Sequence, residues 1–273
     1  MLFLVFGFIR IFATPQIPDK LIYKGDTISV ALYLPDEFYQ NETITFDSVE
    51  FVNRTLSVKL FGDKKTCKTT ACGREYVATW EIIENQLYLT GIYSCCYYKD
   101  SIEADLDLLF SGKVNNGKVK ADWVTTNAFF QVGKKIAYID AELSIYENDF
   151  EFVFNEGKLL NIISYDNSKS RKSIYSQSQE KLKEFIYSNV NWNELPKLEE
   201  PIRIVLKFSA NEIGKVDSVE VMRSNNETFN QEAIKVIKLI PDWDVLYFKG
   251  KLLRIPWIIP IILSEENKEK YRT

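Results

Sequence analysis

The stretch "IKLIPDWDVLYFKGK", residues 237–251, decides the fold of the C-terminal part of the chain. It begins as an apolar helix and reaches Pro241, which lacks the N–H of a helical residue and clashes with the preceding turn, so the helix must end there. Trp243 follows, and a tryptophan that folds back over a small core buries roughly 150–250 Å². Gly250 and Lys251 then lead into a last strand, because the permissive backbone of glycine allows a turn.

The surrounding segments predict a small α+β domain over residues 179–265. Apolar residues from Leu182 to Val190 recur at helical spacing, whereas "PIRIVLKFSA" (201–210) alternates as a half-buried strand does. "NEIG" indicates a turn and "KVDSVEVMR" a return strand. A second helix over 228–239 and a last strand in "LLRIPWIIPIIL" complete the order α-β-β-α-β with a three-stranded antiparallel sheet.

Residues 20–165 follow a different pattern. Ten short runs rich in Val, Ile, Thr and aromatic residues, among them "TISVALYL", "ITFDSVEFV", "TLSVKLFG" and "KLLNIIS", are separated by turn signals. They predict an all-β domain, either a sandwich or a partly closed barrel, with a helix or helical turn in "SIEADLDLLF". The polar, Ser-rich residues 166–178 predict a linker between two domains, and residues 266–273 are expected to form a tail.

The first 19 residues resemble a secretory signal. The apolar run in "MLFLVFGFIRIFATPQIP" is shorter than the about 20 residues that a membrane-spanning helix needs. It suits the apolar region of a signal peptide, with Ala13 as the last residue before cleavage. We therefore expect a periplasmic or otherwise exported protein, which associates with a membrane only through this segment if it stays uncleaved. The alternatives are a buried N-terminal strand and a start codon further upstream.

Composition restricts the possible functions. The 273 residues contain no histidine, which excludes a Ser-His-Asp or Cys-His nucleophile. The net charge of −4 gives no reason to expect a nucleic-acid partner. An enzyme would have to use carboxylates, Lys, Tyr or Cys, and the best candidates are Asp105, Asp107 and Asp122. Acidic residues within "EADLDLLF", however, are typical of the solvated face of a helix. We therefore predict no catalytic residue, no cofactor and no metal.

The four cysteines favour disulfides. Cys67, Cys72, Cys95 and Cys96 lack the spacing of zinc ligands. The runs "EYVATWEI" and "QLYLTGI" indicate a hairpin with a tight turn at Glu84-Asn85, in which paired residue numbers sum to about 169. Cys72 then comes close to Cys95 and Cys96, so a bridge to either is predicted, and Cys67 could reach the remaining cysteine. Four reduced, buried thiols are the alternative.

Residues from about 180 to 263 resemble the C-terminal domain of TonB, the periplasmic energy-coupling protein of Gram-negative bacteria. The resemblance lies in the hairpin "VLKFSANEIGKVDSVEVMRS", the helix "FNQEAIKVIKLIP", the motif residues Pro241, Trp243, Gly250 and Lys251, and the closing "IPIIL". The sequence departs from the family at Val245, where a proline is usual, and at Pro256 inside the last strand. It also shows neither a full membrane anchor nor a long Pro-rich span.

The resemblance implies a module that binds an envelope protein or peptide, which adds a strand beside the last strand of the sheet. The last strand contains Pro256 and Pro260, and proline in a strand belongs at an edge, where its missing N–H faces away from the ladder. The expected binding edge comprises Leu252, Leu253, Arg254, Ile255, Pro256, Trp257, Ile258 and Ile259. The alternative is that these prolines only protect a free edge from aggregation.

The expected function is therefore that of a non-catalytic cell-envelope protein whose C-terminal module binds a partner by β-strand addition. A divergent TonB-type energy transducer for outer-membrane transport is the first alternative. The second is a ligand-binding β-barrel lined by aromatic residues such as Tyr76, Trp80, Tyr88 and Trp123, although aromatics at strand spacing more often form a core. The sequence identifies neither the partner nor the oligomeric state.

Overall fold

A computed structural model describes residues 16–38, 56–139 and 143–271. The described residues are mostly β, which confirms the β-rich prediction. Residues 1–15 of the signal-like segment and the predicted strand "ITFDSVEFV" lie outside the described residues. Among the described helices, none is long and apolar enough to cross a bilayer.

The first sheet has nine strands in the described part of the chain, joined in the order β2-β1-β3-β4-β9-β8-β7, with β6 on β4 and β5 on β6. Strands β1 and β3 are parallel, whereas β1 with β2 and β3 with β4 are antiparallel. None of the sheets closes into a barrel within residues 16–38, 56–139 and 143–271. The strands are β1 (Asp19–Tyr23), β2 (Asp26–Val30), β3 (Val77–Ile83), β4 (Gln86–Tyr93), β5 (Val114–Asn115), β6 (Lys118–Lys120), β7 (Thr126–Tyr138), β8 (Ser144–Asn155) and β9 (Lys158–Asp166).

In the described segments, a 3-10 helix (Asp36–Phe38) and three short α-helices accompany these strands: α1 (Leu56–Phe61), α2 (Tyr97–Asp100) and α3 (Leu106–Leu109). Helix α3 confirms the helical turn predicted in "SIEADLDLLF". Helix α1 shows that the strand predicted in "TLSVKLFG" was wrong. Its six residues alternate in polarity, but Ser57, Leu60 and Phe61 are the buried ones, at the i, i+3, i+4 spacing of a helix. Burial on one side of the helix overrode the local alternation.

The later elements form a three-stranded antiparallel sheet, β11-β10-β14, and a two-stranded hairpin, β12–β13. The order helix, strand, strand, helix, strand is present, with the hairpin inserted before the last strand. Residues 266–273 were expected to be a tail, but a helix occupies most of them. The elements are α4 (Ile174–Gln177), α5 (Gln179–Ser188), β10 (Ile202–Ala210), β11 (Val216–Ser224), α6 (Asn230–Lys238), β12 (Tyr247–Phe248), β13 (Lys251–Leu252), β14 (Trp257–Leu263) and α7 (Glu265–Tyr271).

The chain divides into two compact units. The N-terminal unit consists of residues up to 132 with 139–143 and 149–164, and the C-terminal unit consists of residues from 165 onward with 133–138 and 144–148. Each unit has its own core. The first is centred on Tyr76, Trp80 and Phe152, and the second on Leu206, Val236 and Trp243.

The hairpin β3–β4 brings the four cysteines together. Ile83 pairs with Gln86 as predicted, and Glu84 and Asn85 form the turn with positive φ angles of 50° and 64°. Within the described residues, Cys72 lies at disulfide distance from Cys95, and Cys67 from Cys96, with Cα–Cα distances of 6.1 and 5.9 Å. These pairs match one of the two connectivities that the sequence left open.

Residues 166–178, predicted to be a linker, are packed within the C-terminal unit. Asn167 is fully buried, and its side chain accepts a hydrogen bond from the Gly250 amide at 2.9 Å. Ser170 accepts one from the amide of Tyr247 at 2.8 Å. Ser170 thus satisfies a backbone amide of the β12–β13 hairpin, whereas Ser168 and Lys169 are exposed. The polar composition of this segment therefore includes buried hydrogen-bonding groups as well as solvated ones.

Candidate functional site

The candidate site is the edge formed by β14 in the C-terminal unit. Strand β14 pairs antiparallel with β10 from Phe208 opposite Trp257 to Ile202 opposite Leu263. In the described part of the chain it has no strand partner on its other side. The predicted position of the last strand at an edge agrees with this arrangement.

The extent of the predicted binding strand differs from the structure. Of Leu252–Ile259, only Trp257, Ile258 and Ile259 lie in β14, whereas Leu252 lies in β13 and residues 253–256 connect the two strands. The connection arises because Lys249 and Gly250 adopt positive φ angles of 49° and 69° and close the β12–β13 hairpin. The chain must then leave this hairpin before it can pair with β10.

Side chains of β14 alternate between the core and solvent. Ile261 and Leu263 are buried, whereas Ile258 and Ile262 are 59% and 40% exposed. Pro260 lies between these two on the outer face. On the neighbouring strand β10, Lys207 pairs with Ile258 and Arg203 with Ile262. The outer face therefore combines an apolar row on the edge strand with cationic side chains beside it.

The backbone of β14 offers only a short free edge. The N–H and C=O of one strand residue point to the same side, and the sides alternate along the strand. The Ile262 amide donates to the Tyr187 hydroxyl at 3.2 Å, and Asn267 Nδ2 donates to the Ile262 carbonyl at 2.8 Å. Ile258 and Pro260 face outward in the same register, and proline has no N–H to donate. Ile258 is thus the outward-facing β14 residue that has both backbone groups available to a partner among the described residues.

Tyr187 connects helix α5 to this edge. Its side chain is buried, and its ring stacks on Tyr271 of α7 at 5.3 Å between centroids. Burial raises the pKa of Tyr187 above its usual value, although the hydrogen bond from the Ile262 amide opposes the shift. The helical spacing of apolar residues from Leu182 to Val190 did not indicate Tyr187, since tyrosine is common on exposed and buried faces alike.

We expect the stability contribution of Tyr187 to be lost at high pH. An unfolded tyrosine ionises near pH 10, and the folded pKa is higher, so the contribution is complete below about pH 10 and disappears as the pH rises through the folded pKa. Urea denaturation at about pH 9 and pH 11 should therefore show a smaller loss of stability in Tyr187→Phe than in wild type. The exposed Tyr98→Phe is the control. Equal losses in wild type and Tyr187→Phe would contradict the prediction.

The motif residue Trp243 packs against the first residue of strand β14. Trp243 is 3% exposed, and its ring packs edge to face against Phe208 and Trp257 at 4.8 and 5.7 Å. The Trp243 amide donates to the Gly214 carbonyl at 2.8 Å. Gly214 has φ +83°, and a Cβ there would collide with the Asp242 carboxylate. Trp243 is therefore a core residue that holds the first residue of β14 in place.

Residues of the segment 166–178 also hold in place the segment that follows Pro241. Arg171 and Val245 exchange backbone hydrogen bonds of 2.7 and 3.0 Å, and Arg171 pairs with Asp242 at 2.7 Å. The Asp244 carboxylate is buried and accepts a hydrogen bond from the Ser173 amide at 2.6 Å. This clamp explains why the chain can turn sharply after α6. No local sequence signal indicated it, because its two halves lie about 70 residues apart.

The candidate residues of the enzyme and ligand-binding hypotheses lie at a helix cap, on the surface or in the core. Asp105 caps helix α3 by accepting from the Leu108 amide, and Asp107 and Asp122 are exposed. Tyr76 and Trp80, candidates for lining a ligand cavity, are fully buried core residues, whereas Tyr88 and Trp123 are half-buried. Among the described residues, no cluster of three or more His, Cys, Asp or Glu side chains could hold a metal ion.

The chain matches no protein-family model, no curated protein and no solved structure in the comparisons made.

Proposed function

We propose that the C-terminal unit is a TonB-like partner-binding module of a non-catalytic, exported cell-envelope protein, and that it binds an extended segment of another envelope protein at the β14 edge. The observation that carries the proposal is Ile258, whose side chain is 59% exposed on an edge strand. The Ile262 amide bonds to Tyr187 on the open side of the edge, and every second residue of a strand directs its backbone groups to the same side. The N–H and C=O of Ile258 therefore also face the open side. Strand addition uses such main-chain groups for affinity.

Two further observations support the proposal. The helix-strand-strand-helix-strand order in the C-terminal unit is the order that the TonB resemblance implies. Two cysteine pairs at disulfide distance in the N-terminal unit fit an oxidising compartment outside the cytoplasm. We also propose that the two units are the two domains of the chain: a β-rich N-terminal domain and the C-terminal partner-binding module.

The bound segment would be short. An added strand can exchange two hydrogen bonds with Ile258 and can donate one more to the Pro260 carbonyl. At Ile262 both backbone groups already have partners, Tyr187 and Asn267. Affinity would therefore rest on a few main-chain bonds and on the apolar side chains of the outer face, which is typical of weak, transient recognition.

The proposal is tested with a displayed library of random short peptides selected on the full-length protein. We expect Ile258→Pro to weaken binding of the selected peptides about tenfold, because it removes the outward β14 amide that has no partner among the described residues, and a hydrogen bond is worth about 1 kcal/mol. Pro260 shows that the strand accommodates proline at an outward position. Circular dichroism would establish that the variant is folded.

Ile258→Thr is the matched control, since it keeps the amide and the β-branched side chain and removes only apolar surface. Its peptide affinity should lie between those of wild type and Ile258→Pro. Peptides that bind Ile258→Pro as tightly as wild type would show that the β14 edge is not the binding site.

A further inference from the structure

Helix α7 occupies the part of the β14 edge that would otherwise extend the binding strand. Asn267, in the first turn of α7, donates to the Ile262 carbonyl at 2.8 Å. Tyr271, at its end, stacks on Tyr187, the residue whose hydroxyl accepts from the Ile262 amide. Both outward backbone groups of Ile262 are thus held by α7 itself or by a residue that α7 packs against.

Helix α7 makes few buried contacts with the rest of the C-terminal unit. The helix has seven residues and none of them is buried. Its remaining side chains are charged: Glu265, Glu266, Lys268, Glu269 and Lys270. A helix shorter than about 12–15 residues is marginal on its own in water, so α7 depends on its docking contacts for its structure. Segments with few buried contacts open at low free energy.

We propose that α7 is a displaceable cap on the C-terminal half of the β14 edge, which limits strand addition to the region of Ile258 until α7 leaves. This proposal rests on the proposed function of the edge. When α7 undocks, Asn267 releases the Ile262 carbonyl and Tyr271 releases the Tyr187 ring, so Ile262 becomes available to a longer partner strand. The partner replaces the intramolecular contacts, and binding and undocking are therefore linked.

The first experiment requires no partner. Hydrogen exchange of the Ile262 amide is compared in the full-length wild type, in Asn267→Ala/Tyr271→Ala, and in Glu269→Ala. The double variant removes both docking contacts, whereas Glu269 is an exposed residue of the same helix. We expect exchange at Ile262 to become about tenfold faster in the double variant, because the hydrogen bond and the aromatic stack that hold α7 at this edge are both lost. Unchanged exchange would overturn the cap.

The second experiment uses displayed peptides that are long enough to pair with Ile262 as well as Ile258 and that are selected on Asn267→Ala/Tyr271→Ala. We expect the double variant to bind them about tenfold more tightly than wild type, because an equilibrium that hides part of the site weakens the apparent affinity. Glu269→Ala should bind as wild type does. Equal affinities in wild type and double variant would overturn control of binding by α7. If the β14 edge is not the binding site, peptide binding will be insensitive to Ile258→Pro. The hydrogen-exchange measurement then tests by itself whether α7 covers Ile262.

Discussion

Replacing Trp243 by alanine is expected to lower the free energy of unfolding by about 3–5 kcal/mol, the usual range for emptying a large aromatic site. The side chain is 3% exposed and lies edge to face against Phe208 and Trp257. Collapse around the vacated site is hindered, because the backbone on both sides of Trp243 is held by Gly214 and by the clamp at Arg171. Urea denaturation of the full-length chain, followed by circular dichroism, measures the effect.

Trp243→Phe is the matched control. Among the described residues the indole Nε1 has no hydrogen-bond partner, so phenylalanine keeps most of the apolar contact without breaking a bond. Its destabilisation should be clearly smaller than that of alanine. Peptide binding at the β14 edge should fall only with the unfolded fraction in either variant. An unchanged denaturation midpoint for Trp243→Ala would show that the side chain is not a core element.

Asp19→Asn in the N-terminal unit is the second substitution with a large expected effect, a loss of about 3–5 kcal/mol in the free energy of unfolding. Asp19 is fully buried and accepts four hydrogen bonds, two from Arg74 at 2.9 Å, one from the Ala78 amide and one from Trp80 Nε1. Burial alone would lower the pKa of Arg74, but the Asp19 carboxylate raises it above its usual value. The substitution leaves the guanidinium without its counter-charge.

Glu81→Gln is the control for the loss of a carboxylate. Glu81 pairs with Lys118 at 2.5 Å, and the two side chains are 29% and 32% exposed. Water screens such a pair, so its loss is expected to change stability by at most about 1 kcal/mol. Denaturation of both variants under the same conditions compares them directly. If Asp19→Asn and Glu81→Gln lower the free energy of unfolding by similarly small amounts, the large contribution expected of the Asp19–Arg74 pair is wrong.

Features of the fold that depend on local pattern were predictable from the sequence. In β10 the alternation of Ile202, Ile204, Leu206 and Phe208 places these four side chains in the core, because neighbouring residues of a strand face opposite sides. The hairpin turn at Glu84-Asn85 set the β3–β4 register and with it the meeting of the cysteines. Pro241 and Trp243 likewise predicted the end of a helix and a buried ring.

Features that depend on contacts between distant segments were not predictable. "TLSVKLFG" alternates as a strand does, yet burial of Ser57, Leu60 and Phe61 made it helix α1. The serines of 166–178 indicated a linker, and only the position of the β12–β13 hairpin shows that Ser170 satisfies a backbone amide. The last strand, predicted over "LLRIPWIIPIIL", begins only at Trp257, since the β12–β13 hairpin occupies the start of that run.

The sequence by itself determined that the chain is β-rich, where its strands alternate, where a helix stops, and which cysteines can meet. Each of these follows from the chemistry of residues a few positions apart, or from the counting of one hairpin. Only the tertiary structure decided which backbone groups of β14 remain free. That depends on the hydrogen bond from the Ile262 amide to Tyr187 and on the ring stack of Tyr187 with Tyr271 of α7, which join residues 75 and 84 positions apart in the chain. Such contacts form only after the core has brought the segments together, and no local pattern encodes them.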